Sequence, residues 1–82
     1  MITDKDLIIG HCYSAKKPKL IGFFPRLYND RQIVWLGIDQ VQYDSPTVKM
    51  GRKLPIVTIE KFLKWADKDI TDTIPKGAWR EC

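Results

Sequence analysis

One histidine, His11, and two cysteines, Cys12 and Cys82, have the widest chemical range in this 82-residue chain. A nucleophile needs a base within hydrogen-bond reach. His11 and Cys12 are adjacent, and adjacent residues on a strand point to opposite faces, so they do not form a dyad. Cys82 is the last residue and a poor place for a preorganised nucleophile. The expectation is a half-buried histidine on a strand and two free thiols in a reducing cytoplasm. One histidine with two distant cysteines gives no zinc spacing.

The carboxylates offer little more. Asp67, Asp69 and Asp72 crowd one stretch, but without the glycine turn and closing glutamate of a calcium loop. They read as a solvated acidic helix end. Asp30, Asp39 and Asp44 fall at expected turns, where aspartate serves the backbone. The segment Lys49-Met50-Gly51-Arg52-Lys53 places cations around one glycine, yet lacks the spacing of a phosphate-binding P-loop. No catalytic residue, metal ligand or cofactor is assigned, and the chain is not expected to be an enzyme.

Clustered charge is the stronger feature. The formal net charge is +4. Residues 14–31 hold Lys16, Lys17, Lys19, Arg26 and Arg31 against Asp30 alone. Residues 45–64 hold Lys49, Arg52, Lys53, Lys61 and Lys64 against Glu60 alone. The rest of the chain is slightly acidic. Two basic loops beside neutral-to-acidic strands suit a polyanion, although lysines also gather in ordinary surface loops. Aromatic residues make up 11% of the chain. Most belong in a core, but exposed rings beside cations are how single strands are held, by stacking on bases while cations follow phosphates.

These loops need elements to carry them. Gln32-Ile33-Val34-Trp35-Leu36-Gly37 is the most apolar run and is rich in β-branched and aromatic residues, as a buried strand should be. Val41-Gln42-Tyr43 alternates like a strand with one buried side. Together they predict a hairpin, turned at Asp39-Gln40. Residues 7–13 and 20–24 predict two earlier strands, the second ended by Pro25. Asn29-Asp30 suits a turn. A long loop spans 45–55, broken by Pro46, Gly51 and Pro55. Ile56-Val57 adds a short strand. Thr58 suits a helix N-cap, with Glu60 in the first turn. A helix is expected over 59–68, because Ile59, Phe62, Leu63 and Ala66 form one apolar stripe that leaves Trp65 half covered. Residues 69–78 read as loop, with Trp79 anchoring the tail.

An 82-residue chain is a single domain with a thin core; residues 1–6 and 76–82 are expected to be mobile ends. The start, Met1-Ile2-Thr3-Asp4-Lys5-Asp6, is acidic where a signal peptide is basic, and no apolar run is long enough to cross a bilayer. A cytoplasmic location follows. The fold class is α+β: a small, strongly bent antiparallel sheet of four to five strands with one C-terminal-side helix. Residues 7–57 resemble SH3-like barrels in length and strand spacing, which implies a half-barrel. Val41-Gln42-Tyr43-Asp44-Ser45-Pro46, followed by Phe62-Leu63-Lys64-Trp65-Ala66, resembles small proteins of bacteriophages and prophages.

The function expected is a non-enzymatic binding module. Lys16, Lys17, Lys19, Arg26, Arg31, Lys49, Arg52 and Lys53 would contact nucleic-acid phosphates, and Tyr28 would stack. The alternative is a phage-type module that docks on a host protein through an aromatic patch or an open strand edge. A homodimer through an uncovered edge is also open to it.

Overall fold

The computed structural model describes residues 2–21, 27–48 and 51–73. The predicted hairpin is the middle of the molecule: β4 (Arg31–Leu36) pairs antiparallel with β5 (Gln40–Asp44). The turn closes a little earlier than expected, with Gly37 N–H donating to the Gln40 carbonyl at 2.8 Å. Ile33 faces Tyr43, and Trp35 then faces Gln42. One extra residue, Val34, is therefore accommodated as a bulge, and the strand bends there.

Around this hairpin a five-stranded antiparallel sheet is built. β6 (Ile56–Thr58) adds to β5, β1 (Cys12–Ala15) adds to β4, and β7 (Ala66–Asp69) adds to β1. A helix, α1 (Ile59–Trp65), links β6 on one edge to β7 on the other. A separate two-stranded ribbon joins β2 (Leu20–Ile21) to β3 (Leu27–Tyr28). The fold is a small α+β domain, mostly antiparallel sheet with one helix. Among the described strands β6 and β7 are free edges, so the sheet does not close into a barrel.

Register puts Tyr13, Ile33, Val41 and Tyr43 on one face, and α1 lies against it. Phe62 is the centre of the core and is fully buried. Tyr13 meets its ring edge-on at a centroid separation of 5.6 Å, and Tyr43 and Trp65 approach it at 6.3 Å and 5.3 Å. The expected stripe is the buried side of the helix: Phe62 and Ala66 are enclosed, and Ile59, Leu63 and Trp65 pack at the margin. Thr58 caps as expected, its hydroxyl accepting from Lys61 N–H at 3.1 Å.

Four expectations are corrected. Residues 7–13 are not one strand. Gly10 takes a φ of 88°, and His11 N–H donates to the Ile8 carbonyl, so the chain turns before β1 starts at Cys12. A glycine there permits a turn that a side chain would strain. The helix does not reach 68. Ala66 becomes extended and its N–H caps the Phe62 carbonyl. The acidic segment after it is a strand, not a helix end, because its backbone finds a ladder on β1. Finally, Leu20–Ile21 belongs to the ribbon rather than to the main sheet. The continuation of that expected strand through 22–24 and the anchor at Trp79 lie outside the described residues.

The start of the chain is tied down. Asp4–Asp6 form a turn of 3-10 helix, and the carboxylate of Asp6 accepts from Thr3 N–H at 2.9 Å. The buried Tyr13 hydroxyl donates to the Asp6 carbonyl at 2.8 Å and accepts from Ile8 N–H at 2.9 Å.

Candidate functional site

Strand direction decides where each loop emerges. β1 ends at Ala15, β4 begins at Arg31, β5 ends at Asp44 and β6 begins at Ile56. The pairings Tyr13–Arg31, Gln32–Asp44 and Gln42–Ile56 align these ends. The loop after β1 and the loop after β5 therefore leave the sheet in the same direction. Only β4 separates their roots, which corresponds to about 10 Å across two strand spacings. At the opposite end Asp39 lies between β4 and β5 and Asp72 follows β7, whereas Asp44 sits at the basic end and Asp69 is level with Arg31 across β1.

Each basic loop is tied to an aromatic residue, Trp65 at the core margin and Tyr43 in the core. Lys16 N–H donates to the Trp65 carbonyl at 2.9 Å, and Tyr43 N–H donates to the Pro55 carbonyl at 3.2 Å. The second loop opens on a tight turn: Ser45 N–H donates to the Asp44 carboxylate at 2.8 Å, and the Ser45 hydroxyl accepts from Thr47 N–H at 3.3 Å. The first loop leads into the ribbon, where Asn29 clamps Lys19. Asn29 N–H donates to the Lys19 carbonyl at 3.0 Å, and Lys19 N–H donates to the Asn29 amide oxygen at 2.9 Å.

Lys16, Lys17 and Lys19 are exposed, as are Arg52 and Lys53. Tyr28 is 53% exposed and lies directly across the ribbon from Leu20. Its ring is thus presented on a short ribbon that follows three lysines. Arg26 and Lys49 lie outside the described residues. Arg31 differs from the loop cations. Its guanidinium carbon lies over the Tyr43 ring at 4.2 Å and over the Trp65 ring at 4.1 Å. Burial lowers its pKa from the ordinary arginine value, since desolvation disfavours the charged form.

The residues examined for chemistry take other roles. His11 donates from Nδ1 to the Asp69 carboxylate at 2.7 Å. That carboxylate also accepts from the Thr71 hydroxyl at 2.6 Å and Thr71 N–H at 2.9 Å. Burial opposes ionisation of Asp69, but these hydrogen bonds outweigh it and hold its pKa below the ordinary value. The Thr71 hydroxyl in turn accepts from Cys12 N–H at 2.9 Å. The cluster clasps the end of β7 to the start of β1. The Cys12 thiol is fully buried. Among the described residues, no three His, Cys, Asp or Glu side chains gather as metal ligands do. No described helix is long and apolar enough to cross a membrane.

A second surface was not singled out by the sequence. On the sheet face away from α1, Trp35, Gln42 and Ile56 form one cross-strand row. Trp35 and Ile56 are 44% and 45% exposed, and Val34 beside them is exposed too. The Trp35 indole folds over Gly37, where a methyl group added at Cα would lie 2.5 Å from the ring. A glycine two residues from a strand tryptophan is the signal that would have found this arrangement.

No protein family, curated protein or solved structure matches the chain.

Proposed function

We propose that this protein is a small non-enzymatic module that binds nucleic acid at the basic end of its sheet. The supporting observation is the common exit of the two basic loops, rooted one strand apart. Lys16, Lys17, Lys19, Arg52 and Lys53 follow the phosphates, and Tyr28 stacks on a base. Arg26 and Lys49 belong to the same two loops by sequence and join this set. The bent sheet, with its bulges in β7 and β4, suits an SH3-like half-barrel of the kind small phage or prophage proteins would use in the cytoplasm. Binding of a labelled single-stranded oligonucleotide at low salt tests the proposal. Affinity should fall steeply as salt rises, because counterions released from the strand are then less favoured. No binding at low salt to either DNA or RNA overturns it.

A second reading rests on the outer sheet face. Val34, Trp35 and Ile56 are apolar and exposed around Gln42 on one sheet face, as the centre of a protein-docking surface is. Under this reading the module docks on another protein. Capture of one partner that survives nuclease treatment and is lost in Trp35→Ser supports it. Equal capture by the variant refutes it.

A further inference from the structure

We propose that Arg31 is a phosphate-binding fork at the centre of the basic end, built to receive an oxyanion. For its ligand this deepens the nucleic-acid reading and rests on it.

Three observations converge. The first is position. Arg31 lies over the rings of Tyr43 and Trp65. Those are the two residues whose backbones tether the basic loops, Trp65 to Lys16 and Tyr43 to Pro55. The guanidinium therefore sits between the roots of both loops, not at the tip of either.

The second is that no carboxylate among the described residues pairs with it. Among the described residues the ion pairs are His11 with Asp69 and Lys64 with Glu60. Neither involves Arg31, and its side chain makes no hydrogen bond there. Burying an arginine charge is costly, and proteins ordinarily offset it with a carboxylate. Burial lowers its pKa, with Tyr43 acting in the opposite sense.

The third is preorganisation. Two ring contacts hold a planar group whose N–H donors match the geometry of two phosphate oxygens. Contact with rings favours the cation and limits its rotamers, so little freedom is lost when an anion binds. The surrounding lysines supply long-range attraction, and Arg31 supplies the directed hydrogen bonds.

A purely packing role makes different predictions, and they are separable. The Arg Nε–H spectrum of the 15N-labelled full chain is titrated with pyrophosphate and then with a single-stranded oligonucleotide. The Arg31 signal is assigned from Arg31→Lys. It should shift saturably with both ligands, and at lower pyrophosphate concentration than the exposed Arg52. In parallel, Arg31→Lys, shown folded by circular dichroism, should bind the oligonucleotide about tenfold more weakly. The slope of log affinity against log salt should be unchanged, because the charge is kept while the fork is lost.

An Arg31 signal unmoved by saturating pyrophosphate and oligonucleotide overturns the proposal, as does wild-type affinity in a folded Arg31→Lys. Should pyrophosphate move the signal while no oligonucleotide binds, the phosphate fork stands and the nucleic-acid reading falls. If Arg31→Lys does not fold, the Arg31 signal is assigned by through-bond connection to its backbone amide and the wild-type titration decides.

Discussion

Phe62 and Tyr13 show how few side chains the fold depends on. Both are fully buried and meet edge to face. Truncating the central ring in Phe62→Ala should cost about 3–5 kcal/mol in urea unfolding. That is a large share of the roughly 4–12 kcal/mol expected for a domain of this length. Tyr13→Phe keeps the packing but strips two backbone groups, Ile8 N–H and the Asp6 carbonyl, of their partner. A loss of about 1–3 kcal/mol is expected. Burial also pushes the Tyr13 pKa up to about 12. Because the folded-state value lies above the unfolded one, the stability it contributes is full below about pH 10 and is lost as pH rises through 12. Ultraviolet titration of the phenolate should show one tyrosine ionising about two units late, and Tyr13→Phe should remove that step. The burial of Phe62 was legible from its place on the apolar stripe. The Tyr13 hydroxyl was not, since its partners are backbone groups whose position depends on the Gly10 turn.

At the scale of elements, the hairpin of β4 and β5, the β6 strand and the Thr58 cap were readable, because each follows from a local pattern. The end of α1 was not. The stripe at 59, 62, 63 and 66 is equally consistent with a helix that runs on and with one that stops at Trp65. Asp67-Lys68-Asp69 has poor strand propensity, and only pairing with β1 makes it extended. The clasp of His11, Asp69 and Thr71 favours that pairing. Its folded-state carboxylate has a lowered pKa, so the stability it contributes is present above the ordinary aspartate range and is lost as pH falls through the lowered value. Asp69→Asn should therefore destabilise the protein by about 1–2 kcal/mol at neutral pH through weakened hydrogen bonds. The difference from wild type should close in strong acid, as read by urea unfolding across pH. Both free edges also look guarded, since β6 has three residues and β7 exposes Asp67, Lys68 and Asp69. Short and charged edges resist pairing with another copy.

The whole molecule is where sequence reading reached its limit. Two basic loops were visible in the chain, but whether they meet depends on the strand order β6-β5-β4-β1-β7, a set of long-range pairings that no local pattern encodes. That order sends both loops out together and places Asp39 and Asp72 at the opposite strand ends. Such an uneven field steers a polyanion toward one end. It also explains why Arg31, counted with the loop cations in the sequence, stands apart in the fold. Strand pairing carries it inward over two rings, while Lys16, Lys17, Lys19, Arg52 and Lys53 stay in solvent. These five cations alone, neutralising about five phosphates of a single strand, should make log affinity fall against log salt with a slope of about −3.5 or steeper. Replacing Lys16 and Lys17 with glutamine should make the slope shallower by about 1.4. The most direct measurement is fluorescence anisotropy of a labelled single-stranded oligonucleotide over 50–200 mM salt. The account predicts roughly a hundredfold loss of affinity across that range. A flat salt dependence, or no binding at 50 mM, would contradict it.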